Sequence, residues 1–341
     1  MLLVHDCNFM IEGNGGSQAS LLIFEKTASE DGHRVFSMQE HWQKDTQSCN
    51  DNWQQGKHLP NTKPDLILLM RKCDLRIGRR FRKRFPKSTI VCWIADDNTD
   101  TSGLRGKYSP INRAFIVSKS AALKSMRTMR TPPRKLYVVY NPFRENITWY
   151  HRLNQMNPHR KFHIIATGKP AHAVLDKIMR KLIEIDRRFC VHICASKWRS
   201  DANTGTIPNA IYHGNLNHIH LIRLISSCFV QLNPTTSIET FGYSFAESNA
   251  LGLPVITNFV KDSTADEFLN HSEYNKIVPT LNVDSFVKHV LDIHNTFIER
   301  GTVDPGWHLY SQMDPKNFTR NLISLSTAAS ADVATLDLFP G

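Results

Sequence analysis

Short β-branched runs alternate with amphipathic segments along this chain, and that alternation restricts the fold more than any other feature. In the first half the runs are LLVHDC (2–7), DLILLM (65–70), TIVCWIA (89–95), AFIVS (114–118) and LYVVY (136–140). In the second half they are FHIIATG (162–168), CVHICAS (190–196), NAIYHG (209–214), CFVQLNP (228–234), LPVITN (253–258) and NKIVP (275–279). Continuous apolar runs of this length suit strands covered by helices on both faces. The stretches between them have helical character: in AVLDKIMRKLIEIDRR (173–188) apolar residues return every three or four positions. Strands and helices in alternation imply right-handed crossovers and parallel sheets, an α/β protein of doubly wound type.

A chain of 341 residues is long enough for about two such units. The join falls in NPFRENITWYHRLNQMNPHRK (141–161), which is polar, holds two prolines and has no strand of its own. The expected organisation is therefore a Rossmann-like domain over 1–145, a second over 160–300, and a helical region and tail over 301–341 that returns to the first domain. Two doubly wound units facing each other line a central cleft with the carboxyl ends of their strands, where ligands bind in open α/β sheets.

Charge is unevenly divided. The net charge is +11, and residues 1–150 hold 24 Lys and Arg against 14 Asp and Glu, whereas residues 151–341 are nearly balanced. Much of the excess lies in RKCDLRIGRRFRKRFPK (71–87), which includes Arg79, Arg80, Arg82, Lys83 and Arg84. Such a run points to an anionic partner (a glycan, a lipid phosphate or a membrane surface) or else to a solvated helix face. Only Phe81 and Phe85 interrupt it, too few aromatics for a base-stacking ladder, which argues against nucleic acid. Seven scattered cysteines without a CxxC pair read as reduced, buried thiols of a cytoplasmic protein, with no metal site. No apolar stretch approaches the roughly 20 residues of a membrane span, and the opening MLLVHDCNFM does not read as a secretion signal.

The sharpest local signal is ETFGYSFAESNALGLPVIT (239–257). A polar exit loop after the strand FVQL leads to a helix of about three turns, FGYSFAESNAL, closed by Gly252, with Pro254 forcing the next strand. Gly242 at the helix start admits a ligand close to the backbone, and the first helical amides favour phosphate. A carboxylate only accepts hydrogen bonds and suits the paired hydroxyls of a sugar. Glu239 before the helix and Glu247 within it can bracket a phosphate held between two sugars, the layout of a nucleoside diphosphate sugar.

This segment resembles the glutamate–seven–glutamate motif of retaining glycosyltransferases of family 4, E-x-F-G-x-x-x-x-E-x-x-A-x-G-x-P-V, matched by Glu239, Phe241, Gly242, Glu247, Ala250, Gly252, Pro254 and Val255. The resemblance implies the two-domain GT-B fold. It also implies that Glu247 binds the nucleotide ribose and Glu239 contacts the donor sugar, with Phe241, Gly242 and Tyr243 beside the donor. IEGNGGSQASLLIFEK resembles the family's glycine turn after the first strand, with Gly15, Gly16 and Ser17 near the donor phosphate. In ATGKPAHAVLDKIM, Lys169 matches the first cation of the family's basic pair, which neutralises the leaving diphosphate. AHA replaces the second cation, and Arg199 is a further donor-side candidate. CWIADDNTD resembles the acceptor segment with Ala95 where relatives carry histidine, leaving Asp96 and Asp97 to orient an acceptor hydroxyl.

The reading that follows is a retaining, metal-independent glycosyltransferase that needs no cofactor beyond a UDP- or GDP-linked sugar as co-substrate. Glu239, Lys169 and Asp96 form its catalytic set, and the basic run faces an anionic acceptor at a membrane surface or on a glycan. The alternatives are a catalytically inactive nucleotide-sugar binder and a nucleic-acid binder using the basic domain. An epimerase or a phosphorylase on the same fold is a further rival, and no lysine motif for pyridoxal phosphate is found.

Overall fold

The computed structural model describes residues 1–5, 16–37, 63–70, 75–94, 101–106, 108–144, 147, 161–168, 170–194, 207–301 and 303–328. The chain divides into two compact units, Met1–Pro142 with Ser311–Gly341, and Phe143–Tyr310.

The first unit is built on one six-stranded parallel sheet in the order β2-β1-β3-β4-β5-β6. The strands are β1 (Leu2–His5), β2 (Arg34–Ser37), β3 (Leu66–Met70), β4 (Thr89–Ile94), β5 (Arg113–Ile116) and β6 (Leu136–Val138). Among the described residues, helices α1 (Gly16–Glu30), α2 (Leu75–Arg84) and α3 (Lys119–Met129) accompany them. Central strands β3 and β5 are buried throughout, as continuous apolar runs predict. Strand β2 has no counterpart in the sequence reading. It is a four-residue edge strand, RVFS, whose Arg34 is exposed, too short and polar to show a period. Cys92 in β4 is disulfide-bonded, which corrects the expectation of reduced thiols; Cys190, Cys194 and Cys228 form no disulfide.

The second unit holds a six-stranded parallel sheet in the order β12-β11-β10-β7-β8-β9. Its strands are β7 (His163–Thr167), β8 (Cys190–Cys194), β9 (Ala210–Tyr212), β10 (Val230–Asn233), β11 (Val255–Asn258) and β12 (Lys276–Val278). Helices α4 (His172–Ile185), α5 (His218–Ile225), α6 (Tyr243–Ala250), α7 (Ala265–Leu269) and α8 (Val283–Arg300) complete it. Counted within the unit, this is the strand order 3-2-1-4-5-6 of a dinucleotide-binding sheet read from the other edge, and its direction reverses between β7 and β10.

The two faces of this sheet differ in chemistry. Ile164, Ala166, Val191, Ile193, Val230, Leu232 and Ile256 form one apolar face, packed by Leu175, Ile178, Met179 and Leu182 of α4 and by Phe286, Val290 and Ile293 of α8. Side chains alternate along a strand and paired residues of a parallel ladder share a face. The register therefore sends His163, Thr167, Cys190, His192, Cys194, Gln231, Asn233 and Thr257 to the other side, together with the apolar Ile165 and Val255. Strands β7 and β8 are thus half polar, where the sequence reading took such runs as apolar on both faces.

Helix α9 (Pro315–Thr327) belongs to the first unit although it follows the second in the chain. Asp314 caps it by accepting from the amides of Lys316 and Asn317, with Pro315 at the first helical position. Phe318 is wholly buried, its ring 5.2 Å from that of Trp93 on β4, and Thr319 hydrogen-bonds Thr27 of α1. At the far end the buried Arg113 of β5 donates to the carbonyls of Leu325 and Ala328. A cation there satisfies orphan carbonyls and opposes the negative end of the helix dipole. Phe318→Ala is expected to lower the unfolding free energy of the first unit by about 4 kcal/mol, the usual range for an emptied aromatic site. Urea denaturation checks this, and a loss near zero would show that α9 does not anchor the unit.

Candidate functional site

The glutamate motif lies at the carboxyl edge of β10, on the flank of the second sheet where its strand order reverses. Strand β10 is buried along its length and ends at Asn233. The loop beyond it is tied down on both sides. The amide of Ala171, at the start of α4, donates to the Pro234 carbonyl at 2.6 Å. Asn258 at the end of β11 accepts from the Thr235 amide at 2.8 Å and donates to the Thr235 carbonyl at 2.9 Å. These bonds bring the exits of β7, β10 and β11 together, where open α/β sheets bind ligands.

Glu239 is exposed, and its Oε1 accepts from the Gly242 amide at 3.1 Å while its carbonyl accepts from the Thr264 amide at 2.9 Å. Gly242 takes φ = 66°, a left-handed conformation that favours glycine. A Cβ on it would lie 2.9 Å from the Phe245 ring and 3.1 Å from Thr264 Oγ1. The motif glycine is therefore required twice, by backbone angle and by contact. Helix α6 starts after it and runs eight residues, shorter than the three turns expected, because Leu251 already leaves the helix and Gly252 (φ = 79°) turns the chain. Its first turn contains no acidic side chain, which favours an anion at that helix end.

Residues 245–250 of α6 are buried all round, including three polar side chains. Ser248 hydrogen-bonds Gln231 of β10, whose amide donates to Thr167 Oγ1 of β7 at 3.1 Å. Asn249 and Asn275 exchange bonds at 2.7 and 3.0 Å, and Asn275 also accepts from the Val255 amide at 3.0 Å. Glu247, 3% exposed, has its Oε1 2.7 Å from His218 Nε2 at the first position of α5. Asn217 caps α5 by accepting from the His220 amide. Three buried polar atoms nearby in the chain's motif region have no protein partner: His218 Nδ1, Asn233 Oδ1 and Thr264 Oγ1. Buried polar groups are normally paired, so these are the atoms a polar ligand can satisfy.

Sequence reading did not find His218, Ser248, Asn249 or Gln231. For His218 the readable signal was an Asn N-cap followed by a histidine opening the apolar helix HIHLIRLI. The partner of Glu247 lies 29 residues away, which no local pattern encodes.

The other expected donor residues scatter in fate. Phe241 is 4% exposed and packs edge-on against Tyr243 and Phe268, with centroids 4.7 and 5.3 Å away, as a core ring. Tyr243 is half-buried, with the Arg144 guanidinium 5.0 Å from its ring centre. Gly16 and Ser17 open α1, the helix that follows β1 in the chain. Gly15, Asp96, Asp97, Lys169 and Arg199 lie outside the described residues. Cys194, at the end of β8, has its thiol pushed up to about 12 by burial and stays protonated, so it offers no nucleophile.

The basic run divides in two. Arg79, Arg80, Lys83 and Arg84 are exposed on α2. Arg82 is not available to an anion. Its guanidinium donates to the carbonyls of Pro86, Ser88 and Pro110 at 2.9–3.3 Å and to Asn112 Oδ1 at 2.7 Å. It fastens α2 to the loops around it, correcting its assignment to the anionic partner. Gly78 serves the same packing, since a Cβ there would meet Pro110 Cγ at 2.7 Å.

No protein-family profile and no curated protein sequence matches this chain. Solved structures do. HepE of Anabaena, determined with UDP and glucose, aligns with a TM-score of 0.65 at 14% identity, over 96% of this chain and 99% of its own. The fold is GT-B. A glycosyltransferase from Rickettsia africae aligns with a TM-score of 0.66 at 10% identity, over 95% of this chain and 97% of its own. WaaG, a glycosyltransferase involved in lipopolysaccharide biosynthesis, gives 0.61 at 11%, over 96% and 100%. Among the described residues of this GT-B chain, no helix is long and apolar enough to cross a membrane.

Two outcomes follow from the geometry. His218→Ala leaves the Glu247 carboxylate buried beside a void and is expected to cost about 3 kcal/mol of unfolding free energy. The solvent-side control His220→Ala should cost close to nothing, and equal losses in urea titrations would contradict the pairing. Arg82→Ala is expected to lower stability by about 2 kcal/mol, whereas Lys83→Ala leaves the thermal midpoint unchanged; the reverse order in calorimetry would contradict the division of the run.

Proposed function

We propose that this protein is a retaining, metal-independent glycosyltransferase of family 4 that transfers a sugar from a nucleotide-sugar donor to a hydroxyl acceptor. The observation that carries the reading is the placement of the motif. Glu239, Gly242 and Glu247 stand at the carboxyl end of β10, at the reversal point of a dinucleotide-type sheet, on a glycine whose conformation and contacts exclude a side chain.

In this reading Glu247, oriented by His218, turns its second oxygen to a ribose hydroxyl, which a carboxylate accepts from well. The opening amides of α6 and Lys169 hold the diphosphate and stabilise the charge it gains on leaving. Glu239 occupies the helix end by accepting from the Gly242 amide. On binding it exchanges that contact for the sugar. As the diphosphate departs, positive charge develops at the anomeric carbon, and the acceptor hydroxyl attacks the face the diphosphate leaves and passes its proton to the departing phosphate oxygen, so configuration is kept. Asp96 and Asp97 orient that hydroxyl in place of the histidine replaced by Ala95. Exposed Arg79, Arg80, Lys83 and Arg84 attract an anionic acceptor, a glycan or lipid phosphate at a membrane surface. HepE, crystallised with UDP and with UDP-glucose, supports a uridine-linked donor.

Titration calorimetry against a panel of UDP- and GDP-linked sugars tests this. One donor is expected to bind at micromolar affinity, and Glu247→Ala to weaken it by roughly a hundredfold, about 2.7 kcal/mol. Unchanged affinity in the variant would remove the ribose assignment. Donor binding without transfer or hydrolysis would leave an inactive binder as the correct reading.

A further inference from the structure

The polar face of the second sheet carries a cluster that donor binding does not use. His163 opens β7 and Cys190 opens β8, and the two are register partners. His192 stands two residues along β8, on the same face. One nitrogen from each histidine and the Cys190 sulfur lie within 4.8 Å of one another. His163 Nδ1 is 2.7 Å from His192 Nε2, and His192 Nδ1 is 2.8 Å from His213 Nε2, just past β9. The three rings stack in a ladder, with successive centroids 5.0 and 5.1 Å apart.

We propose that His163 Nδ1, His192 Nε2 and the Cys190 thiolate bind a zinc-class divalent cation that links the amino ends of β7 and β8. Two imidazoles and a thiolate form a borderline-soft set that selects zinc or its substitutes over magnesium or calcium, which take oxygen ligands. Tetrahedral bonds of about 2.0 Å to nitrogen and 2.3 Å to sulfur place ligand atoms roughly 3.3–3.7 Å apart. To meet that spacing the His163 and His192 nitrogens part by about half an ångström, and the Cys190 sulfur, within 4.8 Å of them, closes on the ion. His213 completes the design. A ligating histidine fixes its orientation by donating its other N–H to an acceptor, and His192 Nδ1 faces His213 Nε2 at hydrogen-bond distance. His163 and Cys190 are half-buried, which leaves the fourth position to a water.

Binding releases one proton to solvent, from the Cys190 thiol. The imidazole that donates in the metal-free contact keeps its proton on its other ring nitrogen. No oxidant or reductant is involved. His163 and Cys190 open their strands and His192 lies at the middle of β8, so the proposed ligands stand toward the amino ends, away from the glutamate motif that follows β10. The ion therefore stabilises the edge of the sheet and takes no part in glycosyl transfer.

Cobalt(II) titration of the reduced, chelator-treated full chain tests the site, with magnesium as the control cation. One equivalent of cobalt is expected to bind with the visible bands of a tetrahedral ion and a thiolate-to-cobalt charge-transfer band, both displaced by zinc. Cys190→Ser should abolish the charge-transfer band, and His192→Gln should weaken cobalt binding roughly tenfold or more. Zinc should also raise the thermal midpoint of the parent protein and not that of Cys190→Ser, whose circular dichroism confirms its fold. Absence of stoichiometric cobalt binding, or a thiolate band that survives Cys190→Ser, overturns the proposal.

Discussion

The second unit depends on how α6 is seated. A helix buried on all sides holds its place by polar pairing as well as apolar contact, because each buried polar atom left unpaired carries a desolvation cost. Ser248 reaches Gln231 on the sheet, Asn249 and Asn275 close a reciprocal pair toward β11, and Glu247 meets His218 on α5. Three partners in three directions leave one orientation for the helix. Once it is seated, the positions of Gly242 and Glu239 follow, and with them the geometry of the loop at the end of β10. The polar letters inside the motif are therefore structural.

That pairing is possible because the second sheet has chemically distinct faces. The apolar side receives α4 and α8 and supplies the core, by direction-free burial. The other side is studded with His163, Thr167, Cys190, His192 and Gln231, and what packs there must match donors to acceptors. Such matching specifies position more sharply than apolar contact does. The same face thus hosts both the anchor of α6 and the histidine ladder, since Gln231 and His192 both pair with Ile165 of β7.

The strands that were legible in the sequence were those whose burial writes a run of apolar letters. Every expected strand is present within a few residues, from Leu66–Met70 to Val255–Asn258, because burial acts on each residue independently of its partners. Strand β2 was not legible, since four edge residues carry no period. Helix α6 was legible in existence and overlong in extent, because the left-handed turn at Gly252 and the early exit at Leu251 decide its end. Arg82 shows a further limit. Its letters match those of its exposed neighbours, and only the carbonyls folded around it set it apart.

The sequence by itself determined the α/β class, the division into two units, the charge asymmetry and the location of the glutamate motif, all of which follow from local pattern and covalent order. Tertiary structure alone decided that Glu247 meets His218, that Phe241 is a core ring, that Arg82 is a tether, and that His163, Cys190 and His192 converge. Each of these depends on strand register and on partners dozens of residues away. Pairing energies between distant side chains leave no mark on the local order of letters.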